Sequence, residues 1–215
     1  MKNDKSSKVI PFYGGQNPEL FEIERRCMDR EGRVIEYLDA ALPTGIVLDV
    51  GAGNGYTAER LLSENRLIIP MEPDEKMIDV DKNLIWSSGV AQSIPFHANV
   101  FDAMYSTWAF FFDGITDIED GLKEVERVVK EGSPIVIIDN YGDDEFCSYS
   151  PNDISSSVSE WVKRGFNYEV INTEFIFDSV AEAKRLLTFY FGEQGEKVNK
   201  TRLEYKVVAY TKTKK

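Results

Sequence analysis

This 215-residue chain has one histidine, two cysteines and fewer bases than acids. Cys27 and Cys147 alone cannot build a disulfide framework, and they show no metal-ligand spacing. They fit a reducing compartment as small buried apolar groups, and no metal is expected. No apolar run approaches the roughly 20 residues that a membrane-spanning helix needs. The start, Met1 to Lys8, has no apolar core and does not read as a secretory signal. The expectation is a soluble, cytoplasmic protein without a membrane partner. Bases are scarce: 25 Lys and Arg stand against 37 Asp and Glu, a net charge of −12. Affinity for nucleic acid rests mainly on neutralising phosphates, and no Lys/Arg cluster stands out before the extreme C-terminus, so no nucleic-acid partner is expected. Internal repeats and low-complexity runs are lacking too. What is present, 42% hydrophobic and 12% aromatic residues, suffices for a real core.

The rest of the chain is organised around Ile46 to Leu62. Ile46-Val47-Leu48 is an apolar run that turns polar at Asp49, as a strand buried on both faces of a parallel sheet does. Gly51, Gly53 and Gly55 follow at alternate positions, and Tyr56 to Ser63 forms helix. Strand, glycine turn and helix make a cofactor loop at the carboxyl end of a first strand, with backbone free to take positive φ and a helix N-terminus behind it. A dinucleotide fingerprint spaces its glycines G-x-G-x-x-G. Here the third glycine comes one residue early, and Tyr56 fills the next place.

The pattern from Asp49 to Gly55, D-x-G-x-G-x-G, resembles the first motif of class I S-adenosylmethionine-dependent methyltransferases. A second stretch, Gly89-Val90-Ala91-Gln92-Ser93-Ile94-Pro95-Phe96 followed by Phe101-Asp102-Ala103-Met104-Tyr105-Ser106, is similar in order and spacing to the family's G-D-A-x-x-L-P-F … F-D-x-V segment. It departs at Val90, where the family usually has an acid facing the adenine amino group. The resemblance is tight over residues 46–139. It implies an α/β fold with a Rossmann-like, doubly wound, seven-stranded sheet, mostly parallel with the last strand antiparallel. It also implies S-adenosylmethionine as cofactor and S-adenosylhomocysteine as product.

Around this core the chain reads as one domain over 1–215. Residues 1–8 should fray, 9–43 form a helical N-terminal lid broken at Gly32, and about 140–167 form an insertion or lid. Leu67 to Glu72 is a second strand, in which Pro70 should sit near an end or a bulge. Pro73 should open a helix burying Met77, Ile78 and Val80. Leu84 to Ser88 reads as the third strand, Phe101 to Ser106 as the fourth and Ile135 to Asp139 as the fifth. A helix starts near Asp117, Ser179 with Glu182 forms a capping box, and Tyr205 to Thr211 is the last strand.

Glu72, at the end of the second strand, can accept from two ribose hydroxyls at once. Asp49 can meet the amino group of the cofactor's methionine moiety. Gly51, Ala52, Gly53 and Gly55 form the loop, and Ala91 and Gln92 resemble the adenine-side residues. Met77 can touch the adenine face, and Tyr13 can close over the methionine end. Pro73 and Ser106 complete the cofactor set. His97 lies before the fourth strand, at the amino end of the sheet, and reads as a solvated loop residue. Asp113, Asp139 and Tyr141 are the base candidates. Phe12, Tyr13, Trp108, Phe110, Phe111, Tyr141, Tyr149 and Trp161 suggest a mostly apolar acceptor site. Ser106-Thr107-Trp108-Ala109 stands where an Asn-Pro-Pro-Tyr-like motif would indicate base or amide methylation. The reading is therefore methyl transfer to a small-molecule acceptor by a monomer or homodimer. The rivals are a non-catalytic cofactor-binding module and a nicotinamide-dependent oxidoreductase.

Overall fold

The computed structural model describes residues 13–110 and 118–215. The expected fraying of 1–8 falls outside these, as do Phe12, Phe111 and Asp113. After a 3-10 turn at Tyr13–Gly15 come α1 (Pro18–Cys27), α2 (Arg33–Ala41), β1 (Gly45–Val50), α3 (Tyr56–Leu61), β2 (Arg66–Glu72), β3 (Ser87–Ser88) and β4 (Ala103–Thr107). They are followed by α4 (Glu119–Val128), β5 (Pro134–Asn140), α5 (Glu145–Ser148), α6 (Val158–Lys163), β6 (Asn167–Ile176), α7 (Val180–Phe191), α8 (Glu193–Glu196) and β7 (Arg202–Thr213). The sheet has seven strands in the order β3-β2-β1-β4-β5-β7-β6, with β7 antiparallel. This is the expected doubly wound topology.

Two compact units divide the described residues. The first holds the described residues of Leu38–Ile137, with 13–16 and Thr211–Lys215. Its centre is β1, parallel to β2 with Val50 opposite Met71 and parallel to β4 with Asp49 opposite Tyr105. Val47, Leu48, Ile68, Met71, Ala103 and Met104 are fully buried there, which is why these strands read as unbroken apolar runs. Arg66 knits the start of β2 to the preceding turn. Its guanidinium donates to the carbonyls of Leu42 (2.8 Å) and Pro43 (3.0 Å) and to the Asp39 carboxylate (2.7 Å).

Pro70 lies inside β2, opposite Asp49, rather than at a strand end. The Met71 carbonyl accepts from Gly51 on the β1 side. Alternation along the strand turns Pro70 to the β3 side, and there β3 begins only opposite Met71. The missing donor therefore faces a place with no ladder to complete.

Two expectations fail in this unit. No helix follows Pro73. Residues 73–80 form isolated turns, and Val80 is 81% exposed, although Met77 is buried. Asp74 and Asp79 are the reason. Their carboxylates accept from the amides of Lys76 and Asp81, both at 3.1 Å, and so offer the backbone an alternative to helix. The third strand also shrinks to Ser87–Ser88, leaving Ile85 exposed.

The second unit comprises Asn17–Tyr37 and Ile138–Tyr210. The chain leaves α1 through Asp29 (φ +50°) and Gly32 (φ +78°), as the break at Gly32 anticipated. The Asp29 carboxylate caps α2, accepting from the amides of Arg33 (2.9 Å) and Val34 (2.8 Å), and also accepts from the Thr173 hydroxyl at 2.6 Å. Phe146 anchors an aromatic core, stacked on Phe175 at 4.3 Å and edge-on to Tyr205 and Phe191. The Ser179 side chain accepts from Glu182 as the cap of α7. Cys27 is buried and donates to Glu182 at 3.1 Å, and burial pushes its thiol up to about 12. Both cysteines are free.

Candidate functional site

The glycine loop between β1 and α3 takes left-handed backbone at all three glycines, with φ of 75° at Gly51, 56° at Gly53 and 75° at Gly55. At two of them the absent Cβ makes room for the chain itself. A Cβ at Gly51 would stand 2.3 Å from that of Ala109, and one at Gly55 would stand 2.7 Å from Leu84 and 3.0 Å from Trp86. Ala109 is brought there by Trp108, whose own φ of +50° is unusual for a bulky residue.

Three successive loop amides turn back onto β2. Gly51 and Ala52 donate to the Met71 carbonyl at 2.9 and 3.1 Å, and Gly53 donates to Glu72 Oε2 at 2.8 Å. The other carboxylate oxygen of Glu72 accepts from the amide of Asp74 at 3.0 Å. Burial pushes this carboxyl up, and the two amide bonds draw it partly back. Glu72 is 6% exposed. An ionised carboxylate has about four acceptor positions, and these bonds use two. Gly15 packs on the same segment, since a Cβ there would touch the Asp74 carboxylate. This brings the turn carrying Tyr13 beside the chain that follows Glu72.

Asp49 is drawn into the core rather than presented at its edge. It is 1% exposed and accepts from the Tyr105 hydroxyl at 2.8 Å, with burial and the neighbouring carboxylate raising the phenol well above its ordinary value. Ser106 is fully buried and donates to the Val50 carbonyl at 2.8 Å, so its hydroxyl joins β4 to β1.

Ala91 and Gln92 sit in a tight turn closed by the Ser93 amide on the Val90 carbonyl at 3.0 Å. Ala91 and Phe110 both pack against Gly121 of α4. A Glu124–Arg127 pair on α4 holds the following loop. Glu124 accepts from the Ile94 amide (2.9 Å), and Arg127 donates to the carbonyls of Ile94 (3.0 Å) and Phe96 (2.8 Å). Sequence reading missed this pair, although the i, i+3 spacing on a strongly amphipathic helix was visible. It also missed Tyr105 as the partner of Asp49. His97 is exposed in the loop leading to β4.

In the second unit, Asp139 ends the buried part of β5 and is 8% exposed. It accepts from the Asn140 amide at 2.8 Å and from the Ser156 hydroxyl, and burial raises its carboxyl to about 7. The Trp161 indole donates to Ser156 at 3.2 Å and stacks on Tyr210 with ring centroids 5.1 Å apart. Burial lifts the Tyr210 phenol to about 12. Trp161 is thus core, as Phe110 is in the first unit. Among the described residues no group of His, Cys, Asp or Glu could hold a metal ion. No described helix is long and apolar enough to cross a membrane.

The sheet order is that of a Rossmann-like α/β domain. Residues 48–137 match the family model described as a methyltransferase domain. The uncharacterised methyltransferase YcgJ of Bacillus subtilis is 28% identical over 135 residues, covering 54% of this chain and 53% of that protein. A ubiquinone/menaquinone biosynthesis C-methyltransferase, UbiE of Geotalea daltonii, is 29% identical over 145 residues, 61% of this chain and 59% of that protein. The chain thus spans little more than half the length of these relatives. The crystal structure of B. subtilis YcgJ shares the fold, with a TM-score of 0.57 at 21% identity over 86% of this chain and 97% of that one. Over residues 48–137 the chain is thus similar to S-adenosylmethionine-dependent methyltransferases.

Proposed function

We propose that the protein transfers a methyl group from S-adenosylmethionine to a small-molecule acceptor, and that the whole chain acts as one catalytic domain. The observation that carries this is Glu72: a buried carboxylate, bonded to the glycine loop through Gly53. The residues present fit the cofactor. Glu72 would take the ribose hydroxyls, and Pro73 and Met77 would contribute to the same part of the site. The loop from Gly51 to Gly55, with Asp49 and Tyr13, would hold the methionine moiety. Ala91 and Gln92 would hold the adenine, and Ser106 would complete the set.

The cofactor supplies a methyl group already activated by a positively charged sulfur. Position and exclusion of water are what remains for the protein, and positioning can supply about 7–11 kcal/mol of the barrier. A base is needed only when the acceptor atom carries a proton of high pKa. Asp113, Asp139 and Tyr141 are the candidates, and Asp139 is poised to change charge near neutrality. A small-molecule acceptor is favoured by the quinone-biosynthesis methyltransferases among the relatives and by the excess of acid over base. Neither the nicotinamide reading nor the non-catalytic one finds support among the relatives.

Calorimetric titration with S-adenosylhomocysteine tests the cofactor assignment, and sub-millimolar binding is expected. Failure to bind at that level removes it. Release of labelled S-adenosylhomocysteine against a panel of phenols, quinols and amines then tests the acceptor class, and turnover only with proteins or nucleic acids overturns it.

A further inference from the structure

We infer that Glu72 is a latch that preforms the glycine loop before any cofactor arrives, in addition to the ribose contact proposed above. Of the three successive loop amides that turn back to β2, Gly51 and Ala52 reach the Met71 carbonyl, which every side chain at position 71 would supply. Gly53 reaches only a side chain, Glu72 Oε2, at 2.8 Å. The other oxygen holds the Asp74 amide at 3.0 Å and so fixes the segment against which Gly15 packs. One carboxylate therefore ties together the loop and the chain leaving β2, and both bonds are intramolecular. Charge-assisted bonds of this kind are the strong ones. An ordered loop spares the ligand the entropy of ordering it.

The geometry separates the two roles of Glu72. The Gly53 and Asp74 bonds exist without ligand, whereas the ribose bonds need two ligand hydroxyls. Amide hydrogen exchange on the cofactor-free protein reads the first role directly. In the wild-type chain the Gly53 amide is expected to exchange at least about tenfold more slowly than in Glu72→Ala. Glu72→Gln, which keeps one acceptor oxygen, should retain protection at one of the two amides. Melting curves of both variants establish that they fold. Gly53 exchanging in the wild-type protein like an open loop amide, or unchanged in Glu72→Ala, overturns the latch.

The second readout uses S-adenosylhomocysteine and its 2′,3′-dideoxy analogue, which cannot make the ribose bonds. The latch predicts that Glu72→Ala weakens binding of the dideoxy analogue by about tenfold relative to wild type. A carboxylate that only touches ribose would leave that affinity unchanged, and this result overturns the proposal. The inference rests on the cofactor reading only in this second arm. Protection of Gly53 without binding of S-adenosylhomocysteine sustains the latch and overturns the cofactor assignment.

Discussion

Glu72 and Asp139 are both carboxylates buried near the ends of strands, and burial raises both, yet their surroundings differ. Glu72 accepts from two amides, one of them in a loop 19 residues earlier in the chain, and so it holds backbone in place. Asp139 accepts from the amide of the next residue and from a serine hydroxyl, which organise little beyond themselves. Hydrogen bonds stabilise the ion that accepts them, but at Asp139 burial outweighs its two donors and raises the carboxyl to about 7. The first arrangement suits a fixed anionic contact and the second a group that exchanges protons. Both are legible only in the folded chain.

That contrast can be broken at Asp139. Its folded value of about 7 lies above the usual carboxylate range. The folded state therefore binds a proton that the unfolded state has released, and the resulting stability is present at low pH and fades as pH rises through about 7. Asp139→Asn should abolish this slope. The wild-type chain should lose about 4 kcal/mol relative to the variant between pH 4 and pH 8, read from urea unfolding at each pH. Parallel curves would mean that Asp139 is ionised throughout, like an ordinary surface acid.

A smaller effect tests the loop that Glu72 holds. Gly51→Ala brings a Cβ to within 2.3 Å of Ala109 at a φ of 75°, and should cost about 3 kcal/mol together with most of the affinity for S-adenosylhomocysteine. Gly132 has nearly the same φ, 77°, with nothing within 4 Å of its missing Cβ. Gly132→Ala should therefore cost only the backbone strain, about 1 kcal/mol, and leave binding intact. Equal losses in thermal melts would remove crowding by Ala109 from the account. The smallest effect is expected at His97, exposed before β4: His97→Ala should shift stability by less than about 0.5 kcal/mol and leave cofactor affinity unchanged. A large loss there would reopen the histidine as a functional group.

The parts of the fold written in local pattern were readable. Ile46 to Leu62 announces strand, turn and helix by composition alone, and the acid ending β2 follows at the expected distance. The segment after Pro73 misled because proline and acids suit a first helical turn, while the same aspartates can bond their own backbone instead. Short range decided that case against periodicity. The Gly53–Glu72 bond, the Asp49–Tyr105 pair and the Asp139–Ser156–Trp161 cluster join residues far apart in sequence, where no pattern signals a partner. Asp49 shows the limit most plainly. Its place before the glycines suggested a partner for an amino group, with no sign of Tyr105, three strands on in the chain, which engages it inside the sheet.

Pro70 carries a consequence beyond its own strand. A sheet that ends on a long bare strand invites other chains to dock along it and grow into aggregates, and proteins guard such margins with proline and with very short outer strands. Here both devices meet at one margin, because the outermost strand has two residues and the strand beneath it offers no amide at position 70. That margin is thereby kept from becoming a template for fibrils, even while its outer strand stays too brief to shield it.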